Sequence, residues 1–272
     1  SHVPWLSSLG ITLDLGVDSV AMLLVLLTTL LTPLCVWGSF TAITIRKREF
    51  YAWLLILETA MLGVFAAQDL ILFYVSFELT LLPMFFLIAI YGGKNRAHAS
   101  IKFFIYTFTG SLFTLAGFVY VAWQYQVSQY GTWSFAIHDL TQFAATMPPS
   151  EQGWILLALL AGFAVKIPVF PLHTWLPLAH TEAPTAGSVL LAGVLLKLGT
   201  FGVYRFVLPM VPDALVAYAP AIAVLAIIGI LYAALICWVQ DDVKKLIAYS
   251  SVSHLGFCVL GLIALNPIGL QG

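Results

Sequence analysis

Lys166 and Lys197 stand deep inside segments that are otherwise as apolar as lipid. The backbone between them is interrupted by Pro168, Pro171, Pro177 and Pro184. A lysine at the centre of a membrane helix costs roughly 2.5–3.5 kcal/mol on insertion scales. Each internal proline removes a helical hydrogen bond that hydrocarbon cannot replace. At about 1.5 Å per residue, both lysines lie about 18 Å into their segments, Glu78 and Glu58 about 12 Å, and His254 about 16 Å. His254 is thereby near the midplane of a roughly 30 Å hydrocarbon core. Groups so placed can pass protons. Burial by itself moves amines and carboxyls toward neutrality, and an opposite charge at about 4 Å restores the charged form by roughly 4 kcal/mol, or about three pKa units. Separating Glu78 from a lysine partner therefore helps Lys166 release a proton, while a break near Pro168 supplies water and bare carbonyls for a relay. The pattern points to an ion pathway inside a helical bundle.

The elements that must position these groups are membrane helices. Of 272 residues, 61% are hydrophobic and 8% are charged, and the mean hydropathy is +1.01. Soluble domains carry about 25% charged residues. Eight apolar segments span roughly 18–45, 50–67, 70–91, 99–123, 153–181 (broken), 185–207, 214–239 and 243–265. The one long polar connection, 124–152, contains Trp133, His138 and Pro148-Pro149 and has room for a short amphipathic element. Arg46, Lys47 and Arg48, then Lys94 and Arg96, then Lys244 and Lys245 fall on one face when segments alternate, which assigns that face to the cytoplasm or mitochondrial matrix. Arg205, near the other end of segment six, is the exception. A net charge of −1 gives no sign of nucleic-acid binding. Cys35, Cys237 and Cys258 form no disulfide framework or metal motif. No fingerprint for a nicotinamide, a flavin or an iron–sulfur centre is present.

Each singled-out residue has a plainer alternative. Lys102, one turn from the basic face, either snorkels to it or serves inside the bundle. Glu58 is either a path residue or a permanently protonated buried acid. His254, with Ser250 and Ser251 one turn back, is either a relay or a satisfied structural histidine. For Glu78, Lys166 and Lys197 the alternative is a static buried ion pair, which adds little over apolar packing. The small residues of segment six, among them Gly193, Gly199 and Gly202, permit close helix contacts whatever the function.

Four stretches carry a resemblance. AVKIPVFPLHTWLPLAHTEAPTAGSVLLAGVLLKLGTFGVYRF (164–206), FYVSFELTLLPMFFLIAIYGG (73–93), IKFFIYT (101–107) and DVKKLIAYSSVSHLGF (242–257) resemble, in the same order, antiporter-like chain M of respiratory NADH–quinone oxidoreductase, subunit four in mitochondria. The resemblance implies an all-α polytopic membrane protein, an antiporter-like helical bundle of inverted repeats with a broken transmembrane helix. It implies an N-terminal helix over 1–49, a first repeat over 50–207 and the opening of a second over 208–272, with the sequence given a portion of a longer or split protein. It makes Glu78 the key membrane glutamate, Lys166 the lysine on the broken helix, Lys197 the lysine that passes protons toward the centre and His254 a member of the same axis. Glu58, Lys102, His173, His180 and Lys244 are secondary candidates for the path.

The implied function is proton translocation as a subunit of complex I, in a bacterial plasma membrane or mitochondrial inner membrane. NADH, FMN, iron–sulfur clusters and quinone would be bound by other subunits, with no cofactor or metal in this chain. The partners are other membrane subunits, sister antiporter-like subunits among them, and lipid. A subunit of a sodium/proton antiporter or membrane-bound hydrogenase, and a structural scaffold, are the alternatives. Three structural expectations follow: Glu78 and Lys166 within about 4–6 Å, loss of regular helix between Lys166 and Pro171, and a flank of segments seven and eight that meets further membrane protein through Ser250, Ser251, Ser253 and Gly256.

Overall fold

The computed structural model describes residues 2–6, 10–128 and 131–271. Among them, seven helical spans are long and apolar enough to cross a membrane. The first is α1 (Ser19–Gly38), started by Asp18, whose carboxylate accepts from Ala21 N at 2.7 Å. It faces outward with Leu23, Leu26, Leu30 and Trp37 and folds the hydroxyls of Thr28 and Thr32 onto its own carbonyls. Segment one was expected to run to residue 45, but the helix stops at Gly38, where Ser39 N turns back to Val36 O.

After α2 (Lys47–Ala66), the third segment is divided. The helices α3 (Leu70–Leu79) and α4 (Leu81–Tyr91) meet at Thr80. Asp69, fully buried, caps α3 by accepting from Ile71 N and Leu72 N at 2.9 and 3.3 Å. Its other oxygen accepts from Thr12 N at 3.0 Å. That bond anchors an antiparallel pair of β1 (His2–Leu6) and β2 (Ile11–Asp14) that the sequence pattern did not announce. Strands this short leave too few alternating positions to register.

The long helix α5 (Arg96–Ser128) leads to α6 (Ile137–Ala145), the short amphipathic element expected in the polar connection, with Ile137, Leu140 and Ala144 inward. Next come α7 (Pro149–Lys166) and α8 (Trp175–Glu182), the two halves of the broken fifth segment. As expected, regular helix ends at Lys166, and Pro168 and Pro171 lie in the turns that follow. The freed backbone is satisfied by protein: Trp175 Nε1 donates to Val165 O at 2.9 Å and Val169 N to Ala164 O at 2.9 Å.

The sixth segment, α9 (Thr185–Met210), is continuous but contains two wide π-turns, Leu191–Leu195 and Val203–Val207. It crosses α7 very closely. A Cβ on Gly199 would lie 2.6 Å from Ile167 Cγ1 and 3.1 Å from Phe163 O. Gly199→Val should therefore lower stability by about 1–3 kcal/mol, read as a lower thermal midpoint of the purified protein; an unchanged midpoint would show that the crossing relaxes freely.

The last pair is α10 (Pro212–Trp238) and α11 (Val243–Ile263), followed by the short α12 (Pro267–Gln271). Buried Gln152 of α7 caps α10 by accepting from Asp213 N at 3.1 Å. Two of the four residues expected on a partner-facing flank instead hold α10 and α11 together. Ser253 Oγ donates to Ile230 O at 3.2 Å, and Gly256 closes on Ile230 and the Ala226 carbonyl.

Contacts place the basic clusters at one end of the bundle. Tyr91 OH donates to Arg46 O at 2.8 Å, Asn95 N to Glu182 Oε2 at 3.0 Å and Lys244 Nζ to Ala183 O at 2.9 Å. At the other end Arg205 is not a stray cation. It pairs with Asp18 and donates to Gln68 Oε1 at 2.6 Å, so its charge is compensated locally.

Candidate functional site

Lys166 is the last helical residue of α7 and is 3% exposed. Glu78 sits on the last turn of α3, just before the junction at Thr80. An amine at one helix interruption and a carboxyl just before another thus fall within electrostatic reach of each other. Both Glu78 carboxyl oxygens are buried without a hydrogen-bond partner. Ser111 of α5 and Lys166 are the groups that act on that carboxyl, yet the Ser111 hydroxyl donates to Phe108 O at 2.8 Å. Glu78 and Lys166 feel each other electrostatically but make no direct ion pair. The Lys166 ammonium instead lies 3.4 Å from Thr80 Oγ1 and 4.5 Å from the centre of the Phe77 ring.

A second set of groups gathers beyond the break. His173, 4% exposed, lies in the turns between α7 and α8, with its Nδ1 unpartnered. Its ring lies against Phe170 at 5.7 Å, Tyr232 at 5.4 Å and Tyr249 at 6.4 Å. Half-buried Lys102 of α5 acts on it. His180 of α8 is also 4% exposed and has neither ring nitrogen bonded. Lys244, which acts on His180, donates to the carbonyls of Thr181 and Ala183 at 3.3 and 2.9 Å, where cations suit a helix C-terminus. An open cavity of about 520 Å³ at the basic face reaches Lys244, Glu182 and Tyr91.

Lys197 is half-buried on α9 between the two π-turns. Its ammonium donates to Ala192 O inside the first of them, where the wide turn leaves a carbonyl open. Among the described residues no carboxylate pairs with it. Glu58 of α2 is half-buried against Thr32 of α1. His254 is exposed on α11 and is not brought to the other candidates. Ser251, one turn back, donates its Oγ to Ile247 O at 3.0 Å.

Sequence reasoning missed Tyr74, Thr80 and Ser111 around Glu78, and Tyr232 and Tyr249 around His173. Tyr74 had a signal, standing one turn before Glu78 on the same helix, whereas Thr80, two residues after it at the helix junction, had none. The others come from distant elements. No cluster of three or more His, Cys, Asp or Glu among the described residues could hold a metal ion.

Membrane-crossing helices, a discontinuous helix and charges held at its break define a polytopic membrane protein of transporter architecture. Within that class the chain belongs to the family described as NADH:quinone oxidoreductase/Mrp antiporter, transmembrane, whose model matches residues 67–272. It is 44% identical over 268 residues to NADH-quinone oxidoreductase subunit M of Rhodobacter capsulatus, covering 97% of this chain and 52% of the relative. It is 42% identical over 273 residues to NADH-ubiquinone oxidoreductase chain 4 of Marchantia polymorpha, covering 99% and 53%. The chain thus spans about half the length of the curated relatives it matches. A chain of respiratory complex I from Thermus thermophilus superposes with a TM-score of 0.86 at 32% identity, over 100% of this chain and 56% of that one. An Mrp complex chain from Dietzia gives 0.86 at 23% identity, over 99% of this chain and 29% of that one, a likeness of fold alone.

Proposed function

We propose that the chain is a proton-translocating membrane portion of an NADH–quinone oxidoreductase, working beside further membrane subunits in a bacterial or mitochondrial inner membrane. Glu78 and Lys166 form the central exchange pair. Lys197 carries protons onward toward the centre, and His254, exposed on α11, joins the path only where a further membrane subunit covers that face. His173, His180, Lys102 and Lys244 line the approach from the basic face, and Glu58 is a peripheral site. Residues 50–207 constitute a first repeat and 208–272 the opening of a second, with residues 1–49 as an added helix. NADH, FMN, iron–sulfur clusters and quinone belong to other subunits, and quinone reduction there drives the transfer.

One observation carries this reading: Lys166 is buried beside a carboxylate it does not contact. A static scaffold pair repays its desolvation only through close, fully hydrogen-bonded geometry. Here no protein group closes on either carboxyl oxygen and the ammonium lies instead against Thr80 and Phe77, which fits a pair that opens and closes. The test is Glu78→Gln in the intact complex reconstituted in vesicles. Proton uptake per NADH oxidised should fall by about a hundredfold, the scale of a lost acid–base group. Unchanged uptake would sink the reading in favour of a scaffold, and uptake that requires sodium would favour the antiporter alternative.

A further inference from the structure

The Lys166 ammonium has three protons to place and no carboxylate in contact. Its two close partners come from a single turn at the junction of α3 and α4: the Phe77 ring, 4.5 Å away, and Thr80 Oγ1, 3.4 Å away. The Thr80 hydroxyl gives its own proton to Phe77 O at 2.7 Å. A hydroxyl so engaged presents only lone pairs on its other side, which makes it an acceptor for the ammonium. Thr80 is fully buried and Phe77 is 3% exposed. The Phe77 ring is held by Phe73, stacked at 5.7 Å, and by Phe163, edge-on at 6.0 Å. Phe163 precedes Lys166 by one turn on α7, so the helix that carries the ammonium also braces the ring beneath it. An aromatic face attracts a cation through its quadrupole, yet neither ring nor hydroxyl bears a formal charge. Glu78 follows Phe77 directly, so its carboxylate issues from the same turn. One turn therefore offers Lys166 two alternatives.

We propose that Phe77 and Thr80 form a charge-neutral seat that holds protonated Lys166 away from Glu78, so that the ammonium alternates between seat and carboxylate. The seat keeps the pair open without neutralising the lysine, and its grip is weak enough to release the ammonium when the carboxylate is available. Phe77 and Thr80 are thus positioning residues that act through Lys166. This deepens the proposed function and rests on it.

The experiment uses the intact complex in vesicles, with proton uptake and NADH oxidation measured together. Thr80→Val keeps the volume and removes the acceptor, whereas Thr80→Ser keeps the acceptor and removes a methyl group. The seat requires Thr80→Ser to pump within about twofold of the parent while Thr80→Val loses about tenfold, the scale of one hydrogen bond to a charged group. A packing role requires the reverse order and would overturn the seat. Phe77→Tyr and Phe77→Leu repeat the comparison for the ring and decide the matter if Thr80→Val does not assemble: the seat requires Tyr to retain pumping and Leu to lose it. If both Leu and Val variants pump normally while Glu78→Gln does not, the seat is wrong and the proposed function survives. If Glu78→Gln also pumps normally, both fall.

Discussion

Lys166→Ala should leave the complex assembled and reduce proton pumping by about a hundredfold or more. The lysine is buried at a helix break and interacts electrostatically with Glu78, whose carboxyl no protein group bonds. Its removal takes away a charge whose burial is costly and whose partners are a ring and a hydroxyl, not a contacting anion. The end of α7 does not depend on the side chain. Pro168 and Pro171 cannot donate to preceding carbonyls, and Trp175 still bonds Val165 O. Assembly, judged by subunit content and NADH oxidation in detergent, should therefore persist while pumping disappears. Pumping at the parental rate by an assembled Lys166→Ala complex would remove this residue from the path.

Lys197→Ala should reduce pumping by about tenfold or more, again with the complex assembled. Among the described residues Lys197 has no carboxylate partner, and its ammonium rests on the Ala192 carbonyl opened by a π-turn. A helix gains little stability from such a contact once the cost of desolvating the ammonium is counted. A cation retained at this depth on a single carbonyl is better explained by what it can pass on than by what it holds together. Proton uptake and thermal midpoint measured on the same preparation separate the roles. A lowered midpoint with normal uptake would make Lys197 a brace for the wide turn.

The elements were legible in the sequence because lipid imposes one requirement on every residue of a span. Backbone bonds must close within the helix and side chains must be apolar, so the helices declared themselves by run length, and Pro168 and Pro171 by their missing donors. The same requirement made Lys166, Lys197 and Glu78 conspicuous, since a charge is rare where it is expensive. The strand pair β1–β2 was not legible, because its anchor is buried Asp69, a residue distant in sequence. Nor was the departure of Arg205 from the charge pattern, which Asp18 and Gln68 resolve from two other elements.

What the sequence by itself determined is the set of membrane helices, the face that bears the basic clusters, the break after Lys166 and the identity of the charged residues at depth. Tertiary structure alone decided their pairing. It set Lys166 over Phe77 and against Thr80 in place of direct contact with Glu78, left His254 exposed on α11, and gave Ser253 and Gly256 to the α10–α11 contact. The physical reason is that depth follows from counting residues along one helix, whereas direction depends on rotation about the helix axis. That rotation is fixed by close crossings such as Gly199 on Ile167, which no single segment encodes.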